Sequence, residues 1–133
     1  MIRVSTAKGL LHHIDIGPHR LDSDVPAELG GDGAGPEPHD LFDAALGACK
    51  ALTLMLYARQ RGLPLEGLDV KVERDDSEER QGRYRLAVEL ELRGALDESQ
   101  RQQLLRIADK CPVHKLMTSA EIQVDTRLSG ARP

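Results

Sequence analysis

The chain has 133 residues, of which 40% are hydrophobic and 30% charged, with a formal net charge of −4. That length fits one domain, and that composition supports a packed core and excludes an intrinsically disordered chain. The aromatic residues are only Phe42, Tyr57 and Tyr84, so the core must be aliphatic. A nucleic-acid partner, which needs stacking rings and positive charge, is not expected.

Met1 to Val4 leads into polar residues without an apolar run, so no signal peptide is expected. The stretch 41–58 carries Asp43 and Lys50 and reads as a buried helix, with no membrane association. The expected location is therefore the cytoplasm. Its two cysteines should be reduced there, and a disulfide between them would be catalytic or redox-sensing rather than structural.

Residues 2–7 are extended in character, and positions 10, 12, 14 and 16 share a mostly apolar strand face. Gly17-Pro18 marks a turn, and Arg20 to Val25 predicts a third strand that ends at Pro26. The glycine-rich loop 30–38 has no Lys-Ser/Thr pair for a phosphate cradle and reads as a flexible connector. A long helix is predicted over 39–61, apolar nearly all round and closed by Gly62. Residues 67–74 and 83–93 read as a hairpin around the polar loop 75–82, its second strand alternating apolar and charged residues. Asp97 and Gln100 form a capping-box pattern ahead of a helix to about Lys110, whose buried stripe holds Leu104, Ala108 and Cys111. Pro112 interrupts that helix and suits the first turn of another. Residues 121–128 predict a final strand, and 129–133 a frayed tail. This order makes a single α+β domain over 1–133.

Cys49, in mid-helix, reads by itself as a small core hydrophobe. Cys111, at a helix start, sits where the local dipole favours a thiolate. The two lie far apart in sequence, so only the fold could pair them. Cys111-x2-His114 with Cys49 is a weak metal alternative, because no second ligand pair accompanies it and His12 and His13 point to opposite strand faces. A cysteine–histidine nucleophile with His114 or His39 as base is another reading, without local sequence support.

Pro36-Glu37-Pro38-His39-Asp40-Leu41-Phe42-Asp43-Ala44-Ala45-Leu46-Gly47-Ala48-Cys49 resembles the first cysteine motif of the OsmC family (osmotically inducible protein C), which includes the organic hydroperoxide resistance proteins. Ile107 to Lys115 resembles its second, and the likeness runs over about residues 8–128. The resemblance implies an intertwined homodimer with antiparallel sheets around long buried central helices. It implies reduction of small hydrophobic hydroperoxides, with Cys49 peroxidatic and Cys111 resolving, and defence against oxidative stress. The cycle needs no bound cofactor and no metal. It needs an external dithiol or dithiol protein as reductant, for which the resemblance points to the lipoamide type. In such enzymes an N-terminal arginine holds the thiolate and a glutamate ten residues before the cysteine orients it. Here that position is His39 and the nearest acid is Asp40, which could equally be a plain helix N-terminal acid. Arg20 is the preferred arginine, with Arg3 and Lys8 as substitutes, although Arg20 could also be a solvated strand residue. Leu46, Leu52, Thr53 and Leu56 could line an apolar approach to Cys49 or be plain core. The alternative functions are a thiol redox protein without peroxidase turnover and a small-ligand or metal-binding module.

Overall fold

The structure is a computed structural model that describes residues 1–130. Its contacts divide the chain into two compact units, Met1–Ala48 with Val70–Glu89, and Cys49–Asp69 with Leu90–Pro133.

In the first unit, β1 (Ile2–Lys8), β2 (Leu11–Ile16) and β3 (His19–Ser23) form an antiparallel sheet in chain order. The register pairs Val4 with Ile14 and Ile14 with Leu21, so β-branched and aliphatic residues meet across the strands. The glycine-rich segment that follows is not a free connector. The buried Asp24 carboxylate accepts the backbone N–H groups of Val25, Asp32 and Ala34 at 2.7, 3.2 and 3.1 Å, and so folds the loop around itself. A loop whose donors find a carboxylate has no need of solvent to satisfy them.

Helix α1 (Pro38–Arg61) starts on a proline, whose fixed φ and missing N–H suit a first turn. It ends where Gly62 takes φ +67°, which lets the Leu63 N–H reach the Ala58 carbonyl at 2.9 Å. Asp43, Leu46, Lys50, Leu54 and Ala58 are buried. Their spacing of three or four residues draws one stripe along the helix. The expected burial on nearly all sides does not hold within this chain, since Phe42, Leu52 and Leu56 are exposed.

Strands β4 (Gly67–Asp75) and β5 (Arg85–Arg93) form a two-stranded sheet, β5 alternating in burial along its whole length and β4 from Leu68 onward. In the second unit, α2 (Glu98–Ala108) carries the expected capping box, Asp97 accepting from Gln100 N–H at 2.8 Å and the Gln100 side chain accepting from Asp97 N–H at 3.0 Å. Cys111 caps α3 (Pro112–Ser119). The core here is Leu54, Ala58, Leu65, Leu104 and Ala108, with Met55, Tyr57, Leu90, Leu92 and Ile107 packed against it.

The strand expected at 121–128 is not formed: these residues carry no strand pairing, and Ile122, Val124 and Leu128 are exposed. An alternating sequence becomes a strand only when a neighbouring edge accepts its hydrogen bonds. Of the expected tail 129–133, residues 131–133 lie outside the described residues.

Candidate active site

Cys49 and Cys111 both belong to the second unit, and both are free thiols. Cys49 is half-buried, while Cys111 is 0% exposed. Helix packing brings them together: α1 supplies Cys49, and the break between α2 and α3 supplies Cys111. Cys111 Sγ accepts the His114 N–H at 3.4 Å, the side-chain cap of α3. Burial pushes the Cys111 thiol above its ordinary value. The His114 N–H pulls it down, the neighbouring Cys49 thiol pushes it up, and the Lys50 charge pulls it down. Cys49 Sγ lies 4.0 Å from Thr53 Oγ1. Cys49, Leu52, Thr53 and Leu56 fall at i, i+3, i+4 and i+7, so the thiol shares a helix face with two exposed leucines.

The residue that sequence reasoning passed over is Lys50, only 2% exposed. Its Nζ donates to the Ala108 carbonyl at 2.7 Å and to His114 Nδ1 at 2.9 Å, with the Asp109 carboxylate at 3.6 Å. A buried ammonium is tolerable only with such partners. Because Lys50 donates to Nδ1, neutral His114 carries its proton on Nε2. Nδ1 is thus neither a free base nor a free metal ligand. Among the described residues no group of three or more His, Cys, Asp or Glu side chains could hold a metal ion.

The other named residues lie in the first unit. Arg20 is exposed and forms a two-point ion pair with Asp15, Nε to Oδ1 at 2.7 Å and Nη2 to Oδ2 at 3.1 Å. Asp40 pairs with Arg74 Nη2. The expected Arg20–Asp40 pair is therefore not formed, each partner having a nearer counter-ion. Arg74 also donates to Asp43 at 2.5 Å and to Glu37 at 3.2 Å. Tyr84 donates its hydroxyl to Asp43 at 2.7 Å, and burial, helped by Asp43, pushes the phenol up to about 12. His39 lies between Glu79 and Glu37, which raise its pKa in that order. His13 pairs with Asp22, and His12 bridges the Leu10 carbonyl and Thr6. Arg3 and Lys8 are exposed on β1.

A family model described as OsmC-like protein matches residues 30–127. No match was found among curated proteins. Among solved structures, an organic hydroperoxide resistance protein OsmC from Legionella pneumophila is 25% identical, with 90% of each chain covered and a TM-score of 0.63. The organic hydroperoxide resistance protein OhrB of Bacillus subtilis is also 25% identical, covering 90% of this chain and 91% of its own, at a TM-score of 0.59. An OsmC-like protein from Mycoplasma pneumoniae, 16% identical over 90% of this chain and 86% of its own, shares the fold at a TM-score of 0.74. An α+β chain with a cysteine on its long helix and a second at a helix break, matched by this model across most of its length, belongs to the OsmC family.

Proposed function

We propose that this protein is a thiol-dependent peroxidase that reduces organic hydroperoxides through a two-cysteine cycle. The observation that carries the reading is the pair itself: a half-buried Cys49 beside a fully buried Cys111, both free, in one compact unit. The two 25%-identical neighbours that bear the name of organic hydroperoxide resistance support the same substrate class. The Cys49 thiolate attacks the peroxide oxygen, the O–O bond breaks, and the alkoxide leaves with a proton as an alcohol. Cys49 sulfenic acid then condenses with the Cys111 thiol, forming a disulfide and one water. An external dithiol returns both cysteines to thiols and departs as its own disulfide. The exposed leucines beside Cys49 favour an apolar alkyl group over hydrogen peroxide.

The protein acts in this proposal as a homodimer in the cytoplasm and uses no metal or bound cofactor. One equivalent of an organic hydroperoxide gives a Cys49–Cys111 disulfide, with no oxygen gained in the intact mass. Cys111→Ser retains one oxygen on Cys49, and Cys49→Ser shows no turnover with excess dithiol. Oxygen on Cys111 in the Cys49→Ser protein reverses the roles. Two unreacted thiols after stoichiometric peroxide leave the redox protein or the binding module as the function.

A further inference from the structure

His39 is the second residue of α1, and its ring stands between two carboxylates from different parts of the first unit. Nδ1 faces Glu37 Oε2 at 3.1 Å, on the residue ahead of the helix. Nε2 faces both oxygens of Glu79, at 2.9 and 3.0 Å, on the short 3-10 turn Glu79–Gln81 in the loop between β4 and β5. A carboxylate only accepts, so each ring nitrogen must bring a proton to its partner. A neutral imidazole has one N–H and the imidazolium has two. Only the charged ring therefore bonds Glu37 and Glu79 together. In the neutral ring, one nitrogen turns a lone pair toward carboxylate oxygens.

The other charged and titratable groups around this ring come from α1, β4 and the loop. Asp40 and Asp43 lie on α1 and are held by Arg74 of β4, which also donates to Glu37 Oε1 at 3.2 Å. Tyr84, at the end of the loop, donates to Asp43 at 2.7 Å, and its ring lies 5.9 Å from that of His39. The turn itself carries Arg80, and Glu78 ahead of it pairs with Arg83 and Arg85. Arg74 and Tyr84 hold their protons near neutral pH, burial foremost pushing the Tyr84 phenol up to about 12. The base of the loop thus stays anchored through Tyr84. Among the described residues, Glu79 is the one residue of 76–83 whose side chain bonds outside the hairpin.

We propose that His39 is a proton-operated latch: as the imidazolium it ties the β4–β5 loop to the start of α1, and as the neutral ring it lets the loop go. Glu79 foremost, and then Glu37, raise the pKa of His39 above its ordinary 6.5. A group raised in this way contributes fully below its unfolded value and loses that contribution as pH rises through the folded one. The loop is therefore held in mildly acidic solution and released above the His39 midpoint. Release leaves Arg74 as the one cation bonded to Glu37, Asp40 and Asp43.

Nitrogen-15 NMR of the whole protein between about pH 5.5 and 8.5 reads both ring nitrogens, with His39 assigned from the His39→Gln spectrum. Both nitrogens are expected to carry protons at pH 6, with a midpoint above 6.5 that moves down in Glu79→Gln. Hydrogen exchange, corrected for the intrinsic rate at each pH, reads the loop through the N–H groups of Glu79, Gln81, Gly82 and Arg83, which bond within it. Their protection is expected to fall about two- to fivefold across the His39 midpoint. In His39→Gln and Glu79→Gln that protection is expected to lack the step. Both side chains are more than 40% exposed, so these substitutions leave the core intact, and neither readout depends on cysteine chemistry. A midpoint at or below 6.5 overturns the proposal. So does loop protection without a step at the midpoint, or a step that survives in His39→Gln.

Discussion

Two charged side chains, Lys50 and Arg74, organise the interior of one unit each. Both were legible as exceptions to a period. Lys50 falls on the three-to-four spacing of Leu46, Leu54 and Ala58, and Arg74 on the two-residue spacing of Leu68, Val70 and Val72. A cation on an apolar stripe must find acceptors, yet its partners come from residues distant in sequence, so the spacing marks the residue and not the bond. Arg74 draws three carboxylates, from Glu37, Asp40 and Asp43, and that competition is why Asp40 does not reach Arg20. Arg20 in turn serves a Cys49 thiolate only by releasing Asp15. If it does so, Arg20→Ala slows iodoacetamide alkylation of Cys49 at neutral pH. If alkylation is unchanged, Arg20 belongs to the β2–β3 surface alone. Asp24 gives a cleaner residue-scale test. Three backbone N–H groups, that of Ala34 foremost, lower its pKa below 3.8. A carboxyl whose folded pKa is depressed adds stability above its unfolded value and loses it as pH falls through the folded one. Asp24→Asn should therefore melt below wild type at pH 7, and the gap should narrow as pH drops below about 4, followed by thermal unfolding.

At the scale of elements, punctuation residues predicted more than propensity did. Pro38 and Gly62 bound α1, Asp97 and Gln100 start α2, and Pro112 starts α3, all as local chemistry requires. The exposed side of α1 was not legible, because an all-apolar helix states that it needs cover without saying what covers it. The ordered loop after β3 was missed for a related reason: its glycines advertise freedom, and the carboxylate that removes the freedom lies eight residues before Asp32 in the chain. The capping box makes a quantitative prediction. Asp97→Ala removes both the acceptor for Gln100 N–H and the reciprocal geometry at its own N–H, so urea unfolding should show a loss of about 1 kcal/mol. Asp97→Asn or Asp97→Ser should recover most of it, since each keeps a capping oxygen. Because α2 carries Leu104 and Ala108 of the core and leads into Cys111, the alanine variant should also expose Cys111 to alkylation more often.

For the whole molecule, two features left open within a single chain point to a second copy. Leu52 is 64% exposed on the face of α1 that carries Cys49, with Leu56 exposed one turn on. Residues 121–128 keep a strand's alternation, yet Val124 is 80% exposed and no strand pairing forms there. Scattered exposed leucines are ordinary, but an exposed apolar helix face together with an unpaired alternating segment is what an interface buries. A homodimer would supply cover for the helix and an edge for the strand, which explains why a strand pattern is present in the sequence and the strand is missing here. Light scattering at micromolar concentration should give twice the chain mass of 14.6 kDa. Hydrogen exchange should then show protected amides within 121–128, because a ladder partner holds them. Leu52→Glu places a charge on the helix face and should halve the mass and abolish that protection together. A monomer in light scattering for the wild type removes the dimer. A dimer whose 121–128 amides exchange freely keeps the association and removes the strand from its interface.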